Sequence, residues 1–476
     1  MTIESSTGDK FWLESMVSMD PTNSIVRRSR IIMPVSRRNI LSAFALGLLA
    51  NTTKARAFAP PVPTSPFRAT DGDDAAQTDW ASKLTITVGR QQADIIGQDD
   101  KAIQAAVDYV SRLGAGTVSI GPGTYRLRNA IHLPSGIRIS GSGADCVLTK
   151  IDSEQVTLAA DSDWYDQEIT LSNAADFRVG DGVTLRANNP HNGGDQVIKR
   201  TLIARSGNRF KLNDGLRKNL WVSEKPTCAS LFPLLTSENC SDVVIENLCL
   251  DGNIENNANL NGNYGGNIFL QDCNRFTIQN IESRNYNGDG ISFQICHDIR
   301  VENCHIHGNH GNGLHPGSGS QRPIMRGNQL ERNNIGLFWC WGVKHGLAEK
   351  NRMRDNRSQG MSIGHNDTDN VMRGNEIVRS GKSGVLFRND TRGNDFWANR
   401  NVLDNNRIID SGQDDGIAVD ILGNTKDTVI TNNTIRETRG PGNRTGIRVD
   451  KAVERLTLRE NRIEGFAHQI SDSRTP

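Results

Sequence analysis

Downstream of residue 240 the chain repeats short runs in which apolar and polar positions alternate. NIFLQDC from Asn267, GISFQIC from Gly290, GLHPGSG from Gly313, GLFWCWG from Gly336, GMSIGHN from Gly360, GVLFRND from Gly384, GIAVDIL from Gly416 and GIRVDKA from Gly446 start 23, 23, 23, 24, 24, 32 and 30 residues apart. Alternation puts Ile291, Phe293 and Ile295 on one face, then Leu337, Trp339 and Trp341, Met361 and Ile363, and Ile417, Val419 and Ile421. An Asn recurs between these runs, at 247, 280, 303, 328, 351, 375, 406, 433 and 461. One such unit cannot bury its own apolar face, whereas stacked neighbours can. The period predicts an all-β solenoid of two or three short strands per coil, with the Asn amides stacked as a buried ladder at a turn.

The N-terminal half departs from this rhythm in two places. In DDKAIQAAVDYVSRLGAGTVSIGPGTYRL, from Asp99, the residues Ile103, Ala106, Val107 and Val110 form one helical stripe. Residues 165–222 read as hairpin strands with Gly turns, a small β insertion that either flanks a groove or is a mere elaboration. Ahead of the solenoid, SRRNILSAFALGLLA from Ser36 places two arginines before an apolar run too short to span a bilayer. Ala55-Arg56-Ala57 follows as a small-x-small cleavage site. Residues 1–57 thus resemble a bacterial twin-arginine export signal, with a plain secretory signal or an N-terminal anchor as the alternatives and Met33 as a second possible start. Residues 58–83, Pro-rich and then acidic, read as a linker, and 84–476 as a single domain. This predicts an exported, periplasmic or extracellular protein with no stable membrane insertion after cleavage.

Composition supports a turn-rich β protein: 46 Gly, 36% hydrophobic and 5% aromatic residues. With 55 Lys+Arg against 54 Asp+Glu, net charge gives no reason to expect nucleic acid or an anionic membrane as partner. Eight Cys in 476 residues, with no CxxC, are neither a disulfide framework nor a zinc site. Cys273 and Cys296 share a column on neighbouring coils, which leaves a bond between them open.

The repeat, the Asn ladder and the block from Asp99 resemble the pectin lyase-like superfamily, which includes pectate lyases, polygalacturonases and mannuronan epimerases. The resemblance covers roughly residues 84–470. It implies a right-handed parallel β-helix whose N-terminal helix plugs the open end. It also implies a polysaccharide partner, but it does not choose a reaction.

Outward positions map one sheet face. The second residue after each start reads Phe269, Ser292, His315, Phe338, Ser362, Leu386, Ala418 and Arg448; the fourth reads Gln271, Gln294, Gly317, Cys340, Gly364, Arg388, Asp420 and Asp450. Gly317, Gly319 and Gly364 then form a floor where a sugar ring lies close to backbone, with Gln294 and Phe338 beside it. Lys344, His345, His365, Asp367, Arg388 and Asp390 follow on the strand ends and turns. His315, Lys344, His345, His365 and Arg388 are candidate catalytic groups, and Gln294, Gly317, Phe338, Gly364, Asp367 and Asp390 candidate substrate contacts. Asp420 and Asp450, in one column, would repel unless Ca²⁺ or Arg388 intervened, so they are candidate metal ligands.

Three functions compete. The first is C5 proton abstraction from a uronic acid by a lyase or epimerase. Mannuronan epimerases carry a G-F-D-P-H type motif; Gly313-Leu314-His315-Pro316-Gly317 keeps its Gly and Pro but has His in place of the Asp and Gly in place of the His. The second is a polygalacturonase-like glycoside hydrolase, although Asp289 and the pair Asp414/Asp415 lie five coils, about 24 Å, apart. Asp before Gly reads more simply as a turn residue. The third is a non-catalytic glycan-binding solenoid.

Overall fold

The computed structural model describes residues 78–188, 193–413 and 415–474; the predicted export signal, most of the linker and Asp414 lie outside them. A 3-10 turn, Trp80–Ser82, is capped by Asp79 and precedes the first strand, Leu84–Gly89.

Three parallel sheets run the length of the solenoid, with 13, 11 and 11 strands. Each coil contributes one strand to each sheet in turn. Sheet 1 begins with Leu84–Gly89, sheet 2 with Gly123–Leu127 and sheet 3 with Ile131–His132. Side chains from all three sheets meet in one continuous core, which includes Ile291, Phe293, Leu337, Trp339, Met361, Ile363, Val419 and Ile421. The helix Asp100–Arg112 closes the N-terminal end. Asp99 caps it by accepting from the Ala102 N–H at 3.1 Å, and Ile103, Ala106, Val107 and Val110 are fully buried against the first coils.

The inward alternation fails at two predicted positions. Ile295 is 45% exposed and Trp341 is half-buried, and both have left-handed backbone, at φ 54° and 64°. The strand ends there and the turn reverses side-chain parity. Cys296, not Ile295, therefore points into the core, as does Cys273 one coil earlier. Those thiols stay free, with the Cys273 N–H 3.4 Å from the Cys296 sulfur, and all eight cysteines are unbridged.

The Asn ladder runs from Asn328 through Asn351, Asn375, Asn406 and Asn433 to Asn461, each amide donating to the next at 2.9–3.0 Å. Asn247, Asn280 and Asn303 do not belong to it. They occupy the left-handed turn position one residue earlier, at φ 57°, 53° and 55°, a conformation Asn tolerates well. Cys304 takes the ladder place in its coil, and its N–H donates to Asn328 Oδ1 at 3.0 Å.

The insertion is larger than 165–222. A six-stranded antiparallel-paired sheet spans Gln155–Thr157 to Thr227–Ala229 and has its own core around Leu185, Phe210 and Leu212. Lys199 of this insertion lies 3.8 Å over the Phe269 ring on the outer face of sheet 3. Among the described residues no helix is long and apolar enough to cross a membrane.

Candidate functional site

Strand pairing settles the outward column of sheet 3. Phe269, Ser292 and His315 are register partners; Leu314 pairs Leu337, which puts His315 beside Phe338; then come Ser362, Leu386, Asp420 and Arg448. The spacing-based alignment slips by two residues after Leu386, because the loop from Asn389 lengthens that coil and the strand Ile417–Ile421 pairs two residues later than its Gly416 start implies. Asp420 therefore faces Arg448, not Asp450. The Arg448 guanidinium grips both Asp420 oxygens at 2.8 and 2.6 Å, and Asp450 instead accepts from the Gly423 N–H at 3.3 Å. The two carboxylates do not form a Ca²⁺ pair, and Arg388 is not the group that neutralises Asp420.

His315 lies at the centre of the face, but under cover. Its Nδ1 is 2.7 Å from Asp289 Oδ2, and both side chains are only 4% exposed. Asp289 belongs to the strand Asp289–Gln294, one coil earlier, and also accepts from the Asn312 N–H at 2.7 Å. Gly262 packs directly over the pair; a Cβ there would collide with Asp289 Oδ2 and His315 Nδ1. The Gly262 carbonyl accepts from Ser292 Oγ at 2.6 Å, and Ser292 Oγ in turn accepts from Gln294 Nε2 at 3.0 Å.

The other ring nitrogen of His315, Nε2, is buried and makes no hydrogen bond. The thiol of half-buried Cys340 flanks the imidazole without completing one. Burial by itself would depress the imidazole pKa. The Asp289 carboxylate and then the Cys340 thiol outweigh it, and the value is pushed up to about 10. A carboxylate, an imidazole and a thiol thus come from three successive coils.

The predicted glycine floor is filled at Gly317 and Gly364 and open at Gly319, which has left-handed backbone at φ 71°. The Gln294 amide occupies the space over Gly317, and the Arg388 guanidinium occupies the space over Gly364. These glycines admit long side chains from the neighbouring coil instead of clearing a place for a sugar. Arg388 reaches back across two coils, donating to Ser362 Oγ at 2.9 Å and to the Trp339 carbonyl at 3.1 Å. It stacks 4.6 Å from the centre of the half-buried Phe338 ring, whose other neighbour is the His315 ring at 5.1 Å. Asp367 and Asp390 approach the guanidinium at 3.6 and 3.7 Å. Asp367 is fully buried and accepts from the backbone N–H groups of Gly342, Val343 and Gly364, each at 2.9 Å. Burial raises its pKa to about 6 against those donors. It braces the backbone under Arg388, whereas Asp390 stays 35% exposed.

The remaining candidates sit elsewhere. His365 lies between Trp341, at 4.9 Å, and Phe396, at 5.6 Å, and its Nδ1 accepts from the Arg392 N–H at 3.0 Å. Its pKa is lowered, chiefly by burial. Lys344 forms bridges with Gln321 and Thr368 in the turn from sheet 3 to sheet 1. His345 follows it in left-handed backbone, within a column of Asp and Arg turn residues. The predicted cluster therefore divides: His315, Phe338 and Arg388 converge, His365 lies at their border, where the charges of Asp390 and Arg388 reach it, and Lys344 and His345 stand in the turn. Asp289, Cys340 and Ser292 are the residues that sequence reasoning left out of the site.

A family model described as "Right handed beta helix region" matches residues 249–397. Among solved structures, the A-module of mannuronan C-5 epimerase AlgE4 from Azotobacter vinelandii is 16% identical, with a TM-score of 0.52 over 82% of this chain and 100% of that one. The AlgE6 A-module from the same organism is 18% identical, with a TM-score of 0.49 over 78% of this chain and 91% of that one. The Dettilon tailspike protein is 10% identical, with a TM-score of 0.49 over 81% of this chain and 68% of that one. No curated protein matches the sequence. Identities this low speak to architecture alone, and with the observed coil stacking they make this chain a right-handed parallel β-helix protein.

Proposed function

We propose that the outer face of sheet 3 acts on a uronic-acid-containing polysaccharide by lyase- or epimerase-type chemistry at C5. The observation that carries this reading is the buried Asp289–His315 pair, with Nε2 unpaired and the Cys340 thiol beside the ring. The likeness in fold to a mannuronan C-5 epimerase module is consistent with it.

The chemistry requires a base at the C5 proton and positive charge at the adjacent carboxylate, where enolate-like charge develops. Arg388, held beside Phe338, supplies the positive charge, and the Phe338 ring gives the sugar an apolar face to rest on. Cys340 is the most exposed member of the carboxylate–imidazole–thiol series. Its thiol passes its proton to His315 Nε2 while the Nδ1 proton stays directed at Asp289; the thiolate so formed takes the C5 proton and returns to thiol, with the imidazolium balancing the charge. The resulting enolate either expels the O4 substituent, giving an unsaturated product, or takes a proton back on the opposite face. Gly262 and its loop cover His315 and must yield for the imidazole to meet substrate directly; Cys340 needs no such movement.

The test is incubation with alginate, pectate and glycosaminoglycans in deuterated water. Ultraviolet absorbance of an unsaturated end marks the lyase outcome, and deuterium at C5 without chain cleavage marks the epimerase. Both signals should vanish in His315→Ala and Cys340→Ser. New reducing ends lacking unsaturation would support a hydrolase instead, and binding with no product would leave a glycan-binding solenoid.

A further inference from the structure

The exterior of sheet 2 carries a second constellation, separate from the face just described. Glu282 opens the strand Glu282–Arg284, and its register partner one coil on is His305. His307 lies two residues further along that strand, on the same side, and pairs in register with Glu331 of the next coil. The intervening Ser283, Ile306 and Leu330 point into the core, so the alternation of the strands forces these four polar side chains outward together.

Their arrangement is unusual for solvated surface groups. The two imidazoles stack with centroids 4.1 Å apart and planes 28° from parallel. His307 Nε2 lies 2.9 Å from Glu282 Oε1, and His305 Nε2 lies 3.4 Å from Glu331 Oε2. One ligand atom from each of Glu282, His305 and His307 falls within 4.8 Å of the others. Donors around a tetrahedral ion at bond lengths of about 2.1 Å stand roughly 3.4 Å apart. Small side-chain rotations therefore close the set. All four residues keep partial solvent access, so an ion can enter from water.

We propose that Glu282, His305 and His307, with Glu331 as fourth donor, bind one divalent transition-metal ion of the zinc class on the outside of sheet 2. Two imidazoles with carboxylates favour zinc, cobalt or nickel over calcium and magnesium, which prefer all-oxygen sites. Arg332 Nη2 lies 3.4 Å from His307 Nδ1 and can only donate to it, so without an ion the ring proton sits on Nε2 facing Glu282; ion binding at Nε2 moves that proton to Nδ1 and displaces the largely exposed Arg332 side chain. Arg284 donates to Glu282 Oε1 at 2.9 Å and reaches back to Asp251, leaving Glu282 Oε2 for the ion. Because the donors come from three successive coils, the ion would clasp those coils from outside.

The experiment is titration of the metal-stripped full chain with Co²⁺ alone, followed by the visible d–d band and by equilibrium dialysis, then displacement with Zn²⁺. The expected result is one ion per chain, a four-coordinate band, and at least tenfold weaker binding in His305→Ala/His307→Ala. Glu282→Gln serves as an isosteric second variant should the double variant fold poorly, and is expected to weaken binding in the same direction. Absence of saturable Co²⁺ uptake by the wild-type chain would overturn the proposal, as would uptake that Glu282→Gln leaves undiminished.

Discussion

Asp289 shows how much a single contact changes a residue's meaning. In NGDG it reads as a turn former, yet it begins a strand and holds His315 at 2.7 Å. If it serves only packing, Asp289→Asn should leave turnover on the active polyuronide nearly unchanged. On the proposed mechanism kcat falls by about 10²–10⁴, as expected for loss of an orienting and charge-balancing partner. Steady-state kinetics on a variant with an unchanged circular dichroism spectrum decides between these. Two buried cations also give opposed pH dependences. His315 is raised to about 10, so its stabilising effect is full below the unfolded imidazole value and is lost as pH rises toward 10. Lys150 lies between the Phe232 and Tyr286 rings, and burial lowers it to about 7. The folded state then binds fewer protons than the unfolded chain between pH 7 and the ordinary lysine range, so this group makes stability rise across that window. Chemical denaturation from pH 7 to 10 should therefore show a shallow net slope in the wild type. Lys150→Met removes the rising contribution, leaving a steeper decline and a gain at pH 7 on the order of a few kcal/mol.

At the scale of the element, turns rather than strands differentiate the coils. The Asn ladder keeps its amides buried and paired on both sides from Asn328 to Asn433 and ends at half-buried Asn461. Asn375 accepts from the N–H and side-chain amide of Asn351 at 3.0 Å and donates to the Ala348 carbonyl at 3.0 Å. Asn375→Ala should lower stability by at least about 1–3 kcal/mol, seen as a fall in the denaturation midpoint, because groups above and below are left buried without partners. A second column, at the turn from sheet 3 to sheet 1, alternates acid and base in left-handed backbone. Asp242–Arg275, Asp298–Arg322, Asp369–Arg400 and Asp427–Arg455 pair at 2.6–2.8 Å, with His345 between two of these pairs. The exposed pairs among these contribute under about 1 kcal/mol each, whereas Asp298–Arg322, bidentate and mostly buried, is not a surface pair of that kind. Ile295 breaks the pattern: a β-branched, exposed residue in left-handed backbone at φ 54°. Its side chain leaves little packing to lose, whereas its conformation costs about 1–2 kcal/mol. Ile295→Gly should thus raise the thermal midpoint, measured by calorimetry.

At the scale of the molecule, stability is close to one-dimensional, since each coil meets mainly its neighbours. Trp339 is fully buried mid-solenoid, on the inner side of the coil that carries Phe338 and Cys340 on its outer side. Trp339→Ala is expected to cost about 3–5 kcal/mol. Hydrogen exchange should place the lost protection in the adjoining coils, roughly residues 313–390, with the helix-capped end retaining its own. Uniform loss along the chain would indicate a single cooperative unit instead.

Periodicity in the sequence was enough to determine the solenoid, the capping helix and the inward apolar residues, except Ile295 and Trp341 at strand ends. Burial repeats with each coil, so composition at period positions carries it directly. The site was only partly legible. His315, Phe338 and Arg388 could be placed on one face because parallel strands turn a spacing of two dozen residues into adjacency. Cys340 was placed on that face but not tied to His315, and Asp289 and the Asp420–Arg448 pair could not be placed, for they depend on where each strand stops, which turn reverses parity and which coil carries two extra residues. Those are decided by backbone geometry and by competition among neighbouring side chains for the same space, as Gln294 and Arg388 show by filling the gaps over Gly317 and Gly364. A linear pattern states which residues share a wall; only the packed coils decide which of them touch.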